Sequence, residues 1–168
     1  MKKDKVTRMA VLSLLTTVAL ILSYIESLLP PIWAAVPGIK LGLPNIIVIL
    51  LLYKFGFKET VIVSFLRVFL VALLFGSTMT LAYSLAGAAL SLILMALCKH
   101  FRLFSAVGVS VVGGVSHNLG QILVAIAFFS TAQLGYYMIV LAVTGTVAGV
   151  FIGLAGTVLM RRMERFKL

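Results

Sequence analysis

Six apolar runs fill nearly all of the chain, and short polar clusters separate them. The runs cover about residues 9–29, 43–53, 60–75, 79–97, 104–129 and 136–160. Crossing ~30 Å of hydrocarbon takes ~20 predominantly apolar residues in a helix, and most of these runs come close to that length. The second run is short, so part of the preceding loop is expected at membrane depth. No run shows the ten-residue alternation of a β-barrel strand. The pattern predicts an all-α integral membrane protein, a single domain of six transmembrane helices. The first run follows a basic stretch, as the core of a signal peptide does. It is longer than such a core of ~7–15 residues, so it is read as a membrane span.

Composition agrees with the pattern. Of the 168 residues, 62% are hydrophobic, well above the ~45–50% of soluble domains. The formal net charge of +10 would suggest nucleic acid in a soluble protein. Here the cations flank apolar runs, where they set topology and meet anionic headgroups. Membrane lipid is therefore the expected partner, and nucleic acid is not. Lys2, Lys3, Lys5 and Arg8 precede the first run, and Lys54 and Lys58 follow the second. Lys99 and Arg102 follow the fourth, and Arg161, Arg162, Arg165 and Lys167 follow the sixth. In a six-span arrangement these twelve of the fourteen cations share one side, which the positive-inside rule makes cytoplasmic. The expectation is a multi-pass protein of the cell membrane with both termini inside. Residues 1–8 and 161–168 become short basic tails, and residues 30–43 a long outer loop.

A polar side chain in hydrocarbon is costly and usually turns toward other helices or a cavity. Ser110, Gly114, His117 and Gln121 stand at i, i+4, i+7 and i+11, on one helical face, with Asn118 beside them. They are either a ligand-facing stripe or hydrogen-bonding glue between helices. Glu26 is the one acid inside an apolar span, and Lys40 the one cation expected outside. The two are expected to pair, to meet a charged ligand, or both. Asn45 opens the second run. Tyr24, Tyr83, Tyr136 and Tyr137 fall near the outer interface, as an aromatic belt or as lining of a site. Arg67 is expected to snorkel to the inner headgroups, the alternative being a helix or ligand contact. Gly145, Gly149 and Gly153 form a doubled small-xxx-small pattern for close packing, within the bundle or with a partner. Ala10, Ser13 and Thr17 offer a second small-residue face.

Several chemistries lack their residues. The four acids are Asp4, Glu26, Glu59 and Glu164, with no pair for a two-metal or two-carboxylate site. Cys98 is the lone cysteine, which excludes an intramolecular disulfide. The two histidines are too far apart for a zinc site, and no phosphate-binding P-loop is present. No cofactor is expected, and energy for transport would have to come from partners or gradients.

The run Gly38-Ile39-Lys40-Leu41-Gly42-Leu43-Pro44-Asn45, the Gly56 turn and the segment FKETVIVSFLRVFL carry a resemblance. The chain resembles the substrate-binding S-components of energy-coupling-factor (ECF) vitamin transporters. In its GIKLGLPN wording it is closer to bacterial Gx transporters, also described as heptaprenyl diphosphate synthase component I. The first resemblance implies an ECF S-component-like bundle whose first outer loop closes over the ligand. It also implies a small-molecule substrate, a transmembrane coupling protein and two ATPases, with Ala10, Ser13 and Thr17 toward the coupling face. The alanine pair familiar on that face is missing here. The second implies prenyl transfer, yet catalytic subunits of that class use aspartate-rich motifs and this chain has one aspartate. It leaves room for a non-catalytic membrane subunit with an isoprenoid ligand.

Overall fold

The computed structural model describes residues 2–28, 42–129 and 136–165. They form six α-helices and no strand: α1 (Lys2–Leu28), α2 (Asn45–Lys54), α3 (Phe57–Phe75), α4 (Thr78–His100), α5 (Ala106–Phe129) and α6 (Tyr137–Arg165). The helix expected from residue 9 begins at Lys2, because nothing between Lys2 and Arg8 interrupts it. The basic stretch from Lys2 to Arg8 is thus helical and continuous with the apolar part of α1. At the other end α6 continues through the basic cluster to Arg165.

Four helices, α1, α4, α5 and α6, are long and apolar enough to cross a membrane. The chain is a multi-pass membrane protein on that count. The other two helices differ. Helix α3 has 19 residues but carries Lys58, Glu59 and Arg67. Helix α2 has only 10 residues, roughly 15 Å at 1.5 Å per residue, half the hydrocarbon thickness. Its six consecutive residues Ile47 to Leu52 are all buried, so no face of that stretch meets lipid or solvent. A helix apolar on every side belongs inside a bundle. Ile49 and Leu52 pack with Leu92, Met95, Val109 and Ile152, while Ile47, Leu50 and Leu51 pack with Leu15, Ala19, Val63 and Met160. Helix α2 is therefore the central post around which the longer helices stand.

The turn between α2 and α3 depends on Gly56, whose φ of 111° lies where a Cβ is strained. Its N–H and that of Phe55 both donate to the Leu51 carbonyl, closing α2. Ser77 caps α4, its Oγ accepting from the Thr80 N–H at 3.2 Å. Polar contacts gather at one end of the bundle. The Arg8 guanidinium meets Glu59 at 2.5 Å, and Lys54 meets Glu164 at 2.6 Å. Lys99 donates to the Leu52 carbonyl and lies 5.0 Å from the Tyr53 ring centroid. The start of α1, the α2–α3 turn and the ends of α4 and α6 thus share that end. At the opposite end, Tyr24 of α1 stacks at 4.9 Å on Phe75 of α3.

Candidate functional site

The polar face of α5 is divided by depth. Toward the start of α5, Ser110 is buried where α6 passes closely. A Cβ on Gly149 would lie 2.6 Å from Val111 Cα and 2.9 Å from the Ser110 carbonyl oxygen. One on Gly153 would lie 2.7 Å from Val107 Cα, and Gly145 meets Gly114 in the same way. Gly145, Gly149 and Gly153 are thus filled from within the chain by α5. Ala10, Ser13 and Thr17 are exposed on α1, with no helix of the described chain over them.

Further along α5 the helices part around a cavity of about 80 Å³. Water occupies about 30 Å³ per molecule in the liquid, so the cavity has room for a few waters or a small polar group. All six helices line it. Helix α5 supplies His117, Asn118 and Gln121, and α4 supplies Thr80 and Ser84. Helix α1 supplies Ser23 and Glu26, the start of α2 supplies Asn45, and α3 supplies Arg67. Gly145, Ala148 and Ile152 of α6 complete the wall.

Within this set the roles differ. Asn118 donates from Nδ2 to the Leu141 carbonyl at 2.8 Å, so it ties α5 to α6 as well as facing the cavity. The His117 ring lies against Gly87 of α4, where a Cβ would come within 3.0 Å of Cε1 and Nε2. Glu26 is 9% exposed and accepts a hydrogen bond from the Gly42 N–H, which ties the end of α1 to the approach to α2. Of the residues expected at a site, Glu26, Asn45, His117, Asn118 and Gln121 meet at the cavity. Tyr83 and Tyr137 do not line it, and Tyr137 is 39% exposed. Lys40, the expected Glu26–Lys40 pair and most of the outer loop 30–43 lie outside the described residues.

Arg67 is the main correction. It was expected to snorkel to the headgroups, but it is 7% exposed and lines the cavity. Its Nε has no hydrogen-bond partner, and the Glu26 carboxylate is near enough to act on it electrostatically. A signal for this was present in the sequence. Thr60, Ser64 and Arg67 fall at i, i+4 and i+7, one face of α3, and all three are buried. Ile62, Phe65, Leu66 and Phe69 occupy the outward side. Ser23, Thr80 and Ser84 carried no comparable signal, since isolated hydroxyls are common in apolar helices. Among the described residues no group of three His, Cys, Asp or Glu side chains could hold a metal ion.

A cavity on which polar side chains converge among apolar helices defines a class: an all-α, multi-pass membrane protein with a small cavity between its helices. The chain belongs to the heptaprenyl diphosphate synthase component I family, whose profile matches residues 15–159. Neither a curated protein nor a solved structure matches it.

Proposed function

We propose that the protein is a non-catalytic membrane subunit whose central cavity binds a small organic molecule. In this reading it is a substrate-binding and uptake component, S-component-like, energised by partner proteins. The observation that carries the reading is convergence. Polar side chains from α1, α2, α3, α4 and α5 turn into one cavity within a chain that is otherwise apolar. Intramembrane ionisable groups are expensive and mark ligand or ion pathways, and Glu26 and Arg67 both lie here. The basic clusters at the opposite end support six crossings with both termini in the cytoplasm of a cell membrane. The cavity then opens toward the outer half of the bilayer. The test is mass spectrometry of small molecules co-purifying with the full chain in mild detergent. A stoichiometric small molecule is expected. Its absence, together with a C-terminal reporter reading outside the cell, would sink both the binding role and the topology.

A second reading follows from the family description. A component I would act as a membrane subunit beside a separate catalytic subunit and would hold an isoprenoid ligand. The chain lacks the aspartates for diphosphate and magnesium chemistry, so purified protein alone is expected to show no prenyl transfer. Measurable turnover without a partner would overturn that expectation.

A further inference from the structure

Among the described residues two buried side-chain atoms have no hydrogen-bond partner, Ser64 Oγ and Arg67 Nε. They belong to residues one turn apart on the buried face of α3. A serine hydroxyl in a helix can turn to the carbonyl four residues back. The Arg67 Nε–H is held in the guanidinium plane and has no such escape. Arg67 also lines the cavity, and Ser64 does not.

Other polar groups of the same wall are engaged within the chain. Ser23 donates to the Ala19 carbonyl at 2.8 Å, and Asn118 donates to the Leu141 carbonyl at 2.8 Å. Thr80 Oγ1 lies 3.1 Å from Ser77 Oγ. Arg67 is more than nine-tenths buried, and the chain gives its Nε nothing to bond. The Glu26 carboxylate acts on Arg67 electrostatically, but it leaves that donor unused. An enclosed donor gains more from an acceptor than an exposed one, because no bulk water competes. A guanidinium stays charged in a protein, so such a bond is charge-assisted whether or not the acceptor carries a charge. A trigonal oxygen, with lone pairs in its own plane, suits the edge of a planar guanidinium. The volume of about 80 Å³ admits one small group of that kind.

We propose that Arg67 is the residue by which the cavity recognises its ligand, and that the ligand presents a carbonyl-type oxygen, of an amide or a carboxylate, to the Nε edge of the guanidinium. This rests on the binding role proposed above and names the recognition contact of that site.

The test uses the full chain in detergent with isotope-labelled arginine, read by nuclear magnetic resonance. The chain has six arginines. The Arg67 Nε–H signal is the one kept when the other five are replaced by lysine. The probes are acetamide, sodium acetate and methylammonium chloride, added at constant ionic strength. Acetamide is a neutral acceptor, acetate is an anionic one, and methylammonium has no acceptor. Acetamide or acetate is expected to shift the Arg67 Nε–H signal saturably, and methylammonium to leave it in place. Whichever acceptor acts at the lower concentration gives the charge of the group recognised. R67K keeps a positive charge without the planar edge. It is expected to weaken binding of that probe about tenfold, the scale of one hydrogen bond to a charged group, read by saturable thermal stabilisation. Its midpoint without probe separates this loss from misfolding, and if R67K does not fold, the shift in the wild-type chain decides alone. No shift with either acceptor, an equal shift with methylammonium, or wild-type affinity in folded R67K would overturn the proposal. If a small molecule co-purifies equally with wild-type and folded R67K, the binding role stands and the Arg67 contact falls. If nothing co-purifies and no probe binds, both fall.

Discussion

Ser110 and Gly114 lie on the same face of α5 as His117 and Gln121, yet the two pairs meet different surroundings. Ser110 is buried beside Gly149 and Gly153 of α6, backbone against backbone. His117 and Gln121 face a cavity that α6 helps to close but does not fill. The difference is one of side-chain size along a single stripe. Glycine opposite serine or glycine lets two helices approach closely. One or two turns further on, an imidazole and an amide stand where the small residues stop. Gly114 marks the boundary, since it both abuts Gly145 and lines the cavity. A membrane helix can thus hold a bundle together with one half of a face and hold a site open with the other half.

The comparison can be broken most severely at the closed half. A Cβ on Gly149 would intrude on Val111 Cα and the Ser110 carbonyl, both backbone atoms that cannot rotate away. Overpacking of this kind typically costs ~1–3 kcal/mol for a small addition. Gly149→Ala is expected to lose stability on that scale, and Gly149→Leu to leave little monodisperse protein. Thermal unfolding in detergent, with size-exclusion profiles, measures both. Wild-type stability in Gly149→Leu would mean that α5 and α6 are not in close contact.

At the open half the expected effect moves from stability to binding. His117→Ala and Gln121→Ala each remove a polar group from the cavity wall, and the first also removes the ring that lies against Gly87 of α4. Each is expected to weaken retention of the co-purifying small molecule by up to about tenfold, in line with loss of one hydrogen bond. The thermal midpoint without ligand should change little in Gln121→Ala, which separates loss of binding from loss of packing. Unchanged retention in both variants would return the upper stripe to the role of interhelical glue, and the contrast between the halves would disappear.

How much of this contrast was legible in the sequence depends on the helix. On α5 the spacing of Ser110, Gly114, His117 and Gln121 identified the face, because 3.6-residue periodicity alone places them together. It did not divide the face, since the division is made by α6 and is visible only when the glycines of α6 are set against it. Helix α2 was legible as apolar but not as a buried post. A ten-residue run looks like a short span until its neighbours are seen to surround it. Arg67 was misplaced for a related reason. An arginine two to three turns from a helix end can reach the headgroups or turn inward, and the choice depends on which side of α3 faces the bundle. The buried positions Thr60 and Ser64 settle that side. Arg8, Lys54 and Lys99, cations of three separate clusters, make their contacts at one end of the bundle.

Asn118 offers the finest discrimination, because it belongs to both halves. Its Nδ2 bonds the Leu141 carbonyl, and its side chain also faces the cavity. Interhelical hydrogen bonds in membranes average about 0.6 kcal/mol and reach about 1.7. The carbonyl has a second donor, since Thr144 Oγ1 lies 3.2 Å away while also 3.0 Å from the Val140 oxygen. Removing Asn118 therefore does not orphan the acceptor, and the low end of that range applies. Asn118→Ala is expected to cost about 0.6 kcal/mol in thermal or denaturant unfolding in detergent, well below Gly149→Ala. Its effect on ligand retention should also fall below that of His117→Ala, because the amide N–H is already engaged by α6. A stability loss above about 2 kcal/mol would exceed what one such bond supplies. It would show that Asn118 holds the seam rather than bordering the cavity. A tenfold loss of retention with unchanged stability would place it wholly among the ligand-facing groups, and the boundary in α5 would rest on Gly114 alone.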